Sequence, residues 1–170
     1  MKQHRGMRPQ DVVILLKIAA LKDTSWLGKD LARSLSISAS EVSESLNRSK
    51  LAGLLSEDKK RLMKNNLLEF LEHGLRYVFP VKAGAIQRGM PTAHSAPPLK
   101  DVVLSDEPYV WPWAKGRVRG QTVEPLHPGV PDACAEDPQL YELLALTDVL
   151  RLGRARERLR AVEALCQRIL

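Results

Sequence analysis

The prolines of this chain are concentrated in its middle and limit what that part can form. Ten of the eleven prolines lie from Pro80 to Pro138. Proline removes a backbone donor and clashes with the preceding helical turn, so this density excludes long helices and central strands. The apolar run Tyr109-Val110-Trp111-Pro112-Trp113 nevertheless indicates order, because a disordered linker does not need it. We predict an ordered, loop-rich strap over residues 80–136, with short strands at 101–104 and 117–124.

The segments on either side have helical patterns. Pro9 suits the first position of a helix, and the mostly apolar residues 12–21 predict that this helix is buried. Residues 138–152 predict a strongly apolar helix that stops at Gly153. A last helix over 154–170 carries an apolar stripe of Leu159, Val162, Leu165 and Ile169. The pattern therefore predicts a mainly α protein with a proline-rich loop segment and C-terminal helices.

Three regions follow from this pattern. We predict a helical domain at 1–79, the strap at 80–136 and a C-terminal helical region at 137–170. Residues 12–71 already supply a core for the first domain. The stripe on the last helix is therefore expected to be buried in a homodimer or against a partner protein.

Residues 31–48 predict two short helices joined by a tight turn. Ser38 can cap the second helix by accepting from the backbone N–H three residues on, and Glu41 can reach back to the N–H of Ser38. The side chains expected to pack between the two helices are Ala32, Leu35, Ile37, Val42 and Leu46. The second helix is predicted over 39–52, with Gly53 closing it.

This packing leaves an outer face on the second helix. The residues predicted there are Ala39, Ser40, Ser43, Glu44, Asn47 and Arg48. Short polar side chains with one Asn and one Arg suit base edges and phosphates in a DNA major groove, and Glu44 could accept from cytosine. A charged tip at 57–64 follows and has the composition of a wing. The alternative is a trihelical protein-interaction module with the same geometry.

Residues 25–64 resemble the winged helix-turn-helix of MarR-like bacterial transcription regulators. The residues that carry the resemblance are Ile-Ser-Ala-Ser-Glu-Val-Ser at 37–43, Leu-Asn-Arg at 46–48 and Ala-Gly-Leu-Leu at 52–55. The rest of the chain resembles an uncharacterised bacterial family. The first helix is short and a strap intervenes, so the dimer geometry and ligand pocket of MarR proteins do not carry over.

The resemblance implies an α+β winged helix over residues 1–79 that binds double-stranded DNA. It places contacts with the groove and its walls at Ser38, Ser40, Ser43, Glu44, Asn47 and Arg48. It places phosphate contacts at Lys29 and, on the wing, at Lys59, Lys60 and Arg61.

The charge distribution agrees with an anionic partner. Residues 1–79 carry 14 Lys and Arg against 9 Asp and Glu, whereas residues 80–136 carry 6 against 6 and residues 137–170 carry 6 against 5. Most of the net charge of +6 therefore lies in the segment with the two short helices. A local positive excess favours nucleic acid as the partner.

Other classes of function have weaker signals. The 4 histidines lack metal-binding spacing, and Gly84–Gly89 lacks the Lys-Ser/Thr of a phosphate loop. Cys134 and Cys166 form neither a disulfide framework nor a metal set. We therefore expect no enzyme activity, cofactor or metal. The chain start lacks the apolar run of a secretion signal and no segment reaches about 18 uninterrupted apolar residues, so a cytoplasmic protein without a membrane segment is expected.

Two functions remain open at this point. The first is a dimeric transcriptional repressor that inserts helix 39–52 into the major groove. The second is an antitoxin-type interaction module, whose strap and C-terminal helices bind a protein encoded by an adjacent gene and which also represses its own operon. Likewise, Trp111-Pro112-Trp113 is either an aromatic lid on a small-molecule pocket or an anchor that pins the strap.

Overall fold

Helices occupy both ends of the chain and a small sheet occupies its middle. The computed structural model describes residues 5–170; Met1-Lys2-Gln3-His4, which begin the predicted first domain, lie outside the described residues. The elements are α1 (Pro9–Ala20), α2 (Gly28–Leu35), α3 (Ala39–Leu51), α4 (Lys64–His73), α5 (Leu75–Val78), β1 (Ile86–Thr92), β2 (Tyr109–Pro112), β3 (Val118–Thr122), α6 (Val130–Glu136), α7 (Pro138–Leu152) and α8 (Ala155–Ile169). The fold is therefore α+β and mainly helical, as the sequence predicts.

The first helix is buried on most of its circumference. Val12 to Leu16 are almost completely inaccessible, and α1 packs against α2, α3, α7 and α8. Pro9 stands at its first turn, as predicted. An apolar helix of this kind gains its stability from contacts on all sides, so it lies at the centre of the helical part.

A three-residue turn at 36–38 joins α2 and α3. Ser36 adopts a left-handed conformation with φ 54°, and the Ser38 hydroxyl accepts from the backbone N–H of Glu41 at 3.2 Å. The predicted hydrogen bond from the backbone N–H of Ser38 to Glu41 is wrong, because the Glu41 carboxylate accepts instead from the side chains of Gln10 and Arg48. A guanidinium is a stronger donor to a carboxylate than a backbone amide. Gly53, with φ 77°, follows the end of α3.

A short loop connects α3 to α4. Leu55 and Leu62 form one antiparallel bridge, and the backbone N–H of Ser56 donates to the carbonyl oxygen of Arg61 at 2.9 Å. Residues 56–61 form the tip between them, which we call the 56–61 loop. The sequence predicts a wing at this charged tip. The β-structure that flanks the tip is limited to the single bridge.

The middle of the chain forms a closed three-stranded barrel. The first half of β1 pairs antiparallel with β3, the second half pairs antiparallel with β2, and β2 and β3 are parallel neighbours. Gly89 lies where β1 meets both partners, and a Cβ there would overlap the carbonyl oxygen of Trp111. Only a residue without a side chain allows the strands to approach so closely at this point.

The predicted strands of the strap are partly right. The strand predicted at 117–124 is present as β3. The strand predicted at 101–104 is wrong: this stretch forms turns, and the Leu104 side chain is 98% exposed. A run of β-branched and apolar residues forms a strand only when a neighbouring strand pairs with it. Here β1 and β2 pair with each other instead.

The hydrophobic core is continuous through the three predicted regions. It includes Leu15 of α1, Trp111 of β2 and Leu144 of α7. The strap is thus part of the core, and Trp111, which is 1% exposed, anchors it there. This burial agrees with the anchor interpretation of Trp111.

The buried carboxylate of Asp148 joins the strap to α7. Its oxygens accept hydrogen bonds from Thr92, Trp111 and Arg151 at 2.7, 2.7 and 2.9 Å. Arg151 also donates to the carbonyl oxygens of Phe79, just before the strap, and of Glu124, just after β3. Burial raises the pKa of Asp148, and the charge of Arg151 and these hydrogen bonds oppose the shift. The network stabilises the position of the barrel on α7.

The apolar stripe of α8 packs within the same chain. Leu165 and Ile169 are buried, Val162 is half-buried, and α8 contacts α1, α4 and α7. The expectation that this stripe lacks a partner inside the chain is therefore wrong, because α7 places its own apolar face beside it. Leu159 differs from the other three and is 64% exposed.

Candidate nucleic-acid interface

The predicted outer face of α3 is exposed. Val42, Ser45 and Ser49 point inward, whereas Ser40, Ser43, Glu44 and Asn47 are open to solvent. Ser38 is exposed at the N-terminus of the helix, and its hydroxyl lies 3.3 Å from that of Ser40. Four of the predicted contact residues on α3, with the cap before it, thus share one accessible polar surface.

Arg48 does not belong to that surface. It is 8% exposed, and its Nε and Nη2 donate to the two carboxylate oxygens of Asp11 at 2.9 and 2.8 Å. Nη2 also donates to Glu41 at 2.6 Å. The prediction that Arg48 is exposed on the outer face of α3 is therefore wrong. Its guanidinium holds α3 against α1.

The physical reason is the carboxylate on the first helix. Asp11 is 0% exposed, and a buried carboxylate needs a paired charge. Hydrogen bonding to Asp11 raises the pKa of Arg48 above its ordinary value, although burial opposes this. Burial favours a neutral Glu41, but hydrogen bonds from Arg48 and Gln10 outweigh it and lower the pKa of that carboxyl. An acid inside the apolar pattern of residues 9–20 is the sequence signal that could have indicated this pair.

The 56–61 loop lies against the exposed face of α3. Lys59 Nζ donates to Asn47 Oδ1 at 3.0 Å, which joins the loop to the most C-terminal residue of that face. Asp58 accepts from the Ser56 hydroxyl and from the backbone N–H of Lys60, and these two hydrogen bonds lower the pKa of its carboxyl. Lys60 and Arg61 are exposed. The loop thus presents cations beside the polar face.

A cleft separates this loop from the start of α2. It has a volume of about 760 Å³, and Trp26, Leu46 and Leu62 form part of its apolar lining. Gly28, the residue before the exposed Lys29, lines it together with Lys59, Lys60 and Arg61. The three cations of the 56–61 loop therefore line this depression, and Lys29 directly follows a residue that lines it.

Metal-binding clusters and membrane-spanning helices are not found among residues 5–170. Within residues 5–170, no group of three His, Cys, Asp or Glu side chains is placed to hold a metal ion. None of the helices in that range has the length and apolar character needed to cross a membrane. Comparisons with protein-family models, with curated proteins and with solved structures find no match to this chain.

Proposed function

We propose that the protein is a sequence-specific DNA-binding transcriptional regulator whose first 79 residues act as a winged helix-turn-helix. In this proposal α3 enters the major groove and the 56–61 loop is the wing. The observation that carries the proposal is the contact between Lys59 and Asn47, which holds a cationic loop beside an exposed polar helix face. As a DNA-binding protein it would act in the cytoplasm.

The residues have different roles in this proposal. Ser43, Glu44 and Asn47 are on the exposed face and would meet base edges. The residues that would contact phosphates or the groove walls are Lys29, Ser38, Ser40, Lys59, Lys60 and Arg61. Arg48 would not touch DNA, since it is committed to Asp11 and Glu41.

The proposal is tested by selecting duplexes from a random library with the full chain and then binding the selected sequence to an Asn47→Ala variant. Loss of a bidentate base contact costs about 1–3 kcal/mol of discrimination, so the variant should discriminate roughly 5- to 150-fold less between selected and scrambled duplexes. Asn65→Ala is the matched control, because Asn65 is an exposed residue of α4 outside the proposed interface. Unchanged discrimination by the Asn47→Ala variant would contradict the proposed role of α3.

The proposed regulator is a homodimer, because paired recognition helices on a near-palindromic site give the usual affinity of this class. An exposed apolar surface on α5 and α8 supports self-association. Tyr77 is 75% exposed and Leu159 is 64% exposed, and both border a groove of about 350 Å³. Light scattering of the full chain and of a Tyr77→Glu, Leu159→Glu variant tests this surface.

The same apolar surface favours the second candidate, an antitoxin-type module. In that case Tyr77 and Leu159 would contact a protein encoded by an adjacent gene. The two candidates differ in a simple way: a dedicated repressor is a dimer that binds its operator alone. A monomer that co-purifies with the neighbouring gene product, and loses it when Leu159 becomes Glu, would favour the antitoxin.

A further inference from the structure

The barrel concentrates positive charge that the sequence composition conceals. The strap as a whole has equal numbers of cations and carboxylates, but residues 86–92 and 109–122 contain four cations and no carboxylate. Arg88, Arg117 and Arg119 are all exposed. We call these three residues the arginine patch. The carboxylates of the strap lie in its loops and in α6, outside the strands.

The arginine patch has no internal partner to neutralise it. Over residues 5–170, ion pairs and side-chain hydrogen bonds are absent from all three guanidinium groups, whereas nearby Lys115 is 3.6 Å from Asp132. Arg88 and Arg119 are also direct cross-strand neighbours in the β1–β3 pair. Like charges in such positions, with Cβ atoms about 4.5–5.5 Å apart, destabilise a sheet. An anion bound between them would remove this repulsion.

From these observations we propose that the arginine patch binds the phosphate backbone of nucleic acid. Arginine offers a planar fork of donors that matches a phosphate oxygen pair, and two forks side by side can hold one phosphate or two successive ones. The proposal rests on the proposed function in one respect: the nucleic acid is the duplex that α3 is proposed to read.

An acidic protein fits this surface less well. Protein interfaces centre on buried aromatic or aliphatic anchors, with charges at the rim. Among the strand residues around the arginine patch, Ile86 is the large apolar side chain left exposed, and its neighbours Gln87 and Gln121 are polar. A charged surface with so little apolar area favours a backbone of phosphates.

The position of the barrel in the fold is compatible with a shared duplex. Asp132 of α6 accepts from Trp113 Nε1 at 3.0 Å and pairs with Lys115, in the turn that leads to Arg117. Gly129, which precedes the same first turn of α6, approaches the carbonyl oxygen of Leu35, the last residue of α2. Only about 5 Å of helix axis separates residues 129 and 132. The turn before the arginine patch thus lies close to the turn between α2 and α3.

The test measures the affinity of the full chain for a fluorescein-labelled duplex by anisotropy over a range of salt concentrations. Arg88→Gln with Arg119→Gln should make the negative slope of log affinity against log salt less steep by about 2 and weaken binding to all duplexes equally. Arg156→Gln with Arg160→Gln removes the same charge from exposed positions of α8 and should leave the slope unchanged. The Arg156, Arg160 variant should melt like the parent, and the Arg88, Arg119 variant should melt at the same temperature or slightly higher, because the cross-strand repulsion is removed.

The outcomes separate this inference from the proposed function. If Asn47→Ala loses discrimination while the Arg88, Arg119 variant keeps the parental slope, the inference is wrong and the function stands. If the slope becomes less steep while Asn47→Ala has no effect, the arginine patch binds phosphates but α3 is not the reader. Binding of polyglutamate that depends on the arginine patch, without binding of DNA, would indicate an acidic protein partner and overturn the inference. A chain that binds no duplex at all overturns both.

Discussion

Two buried carboxylates organise the polar contacts inside this protein at the scale of single residues. The Asp11 carboxylate accepts two hydrogen bonds from the Arg48 guanidinium, and the Asp148 carboxylate accepts hydrogen bonds from Thr92, Trp111 and Arg151. Burying a carboxylate is costly unless donors surround it, so each acid fixes the elements that supply its donors. Asp11 sets the position of α3, the helix proposed to read DNA, and Asp148 sets the position of the barrel.

Replacing Arg48 with alanine should therefore destabilise the fold. Removing one partner of a buried ion pair leaves an uncompensated charge and costs about 3–5 kcal/mol, to be measured as the free energy of unfolding in urea. Asn47→Ala, one residue away on the exposed face, should change the stability by no more than about 0.5 kcal/mol.

A double replacement separates the charge from the packing. Asp11→Leu with Arg48→Met removes both charges while keeping apolar volume, and should recover most of the stability lost by Arg48→Ala. An Arg48→Ala protein as stable as the parent would contradict the buried pair. It would also return Arg48 to the set of residues available to DNA.

At the scale of elements, close backbone approach closes the barrel. Gly89 touches the strand that contains Trp111, and Gly116 approaches the backbone of Gly89 so closely that a Cβ would overlap it. A three-stranded ring is narrow, and its strands meet where β1 changes partner. The arginine patch depends on this closure, since Arg88 and Arg119 face each other only in this register.

A Gly89→Ala variant should lose the barrel. The added methyl group meets backbone rather than a flexible side chain, so the strands must separate, and thermal melting should fall well below that of the parent. Gly28→Ala is the matched control, because its nearest neighbour, Val42 Cγ1, lies 4.0 Å away and Gly28 begins a helix. That variant should be as stable as the parent or slightly more so. Equal melting of the two variants would argue against the close approach at Gly89.

At the scale of the whole molecule, one core connects the first helix with the last two. α7 contacts α1, α6 and α8 as well as β1. The hydrophobic core therefore continues past residue 79, where the proposed DNA-binding domain ends. This differs from a detachable domain with a separate dimerisation arm. The predicted division into 1–79, 80–136 and 137–170 remains a prediction about function.

Truncation after Gly153 should therefore unfold the protein rather than yield a soluble, folded monomer. Leu165 and Ile169 are 1% and 3% exposed, and burial of each such side chain contributes roughly 1.5–3 kcal/mol. Their loss, with the exposure of α7, removes much of a typical stability of about 5–15 kcal/mol. Circular dichroism melting should show no cooperative transition. Arg156→Ala, on the exposed side of the same helix, should melt like the parent, and a cooperative transition in the truncated chain would show that α8 is dispensable.

The sequence by itself determined the features that depend on neighbours along the chain. Pro9 marks the start of α1, Ser38 caps α3, and Gly53 follows its end. Proline density excluded long helices from the middle, and the helices at both ends followed from apolar periodicity. Most of the polar outer face of α3 was predicted in the same way, because helical spacing alone decides which side chains share a face.

Tertiary structure decided the features that depend on residues far apart in sequence. Arg48 has the spacing of an outer residue, but it lies inside because Asp11, 37 positions earlier, needs its charge. Residues 101–104 have the composition of a strand, but no neighbouring strand pairs with them. Gly89 lies in the barrel where two strands approach too closely for a side chain at that position. Three residues of the α8 stripe, Val162, Leu165 and Ile169, pack against the core of the same chain. Periodicity shows which side chains are apolar or outward, whereas burial of a charge and pairing of strands are settled only when distant segments meet.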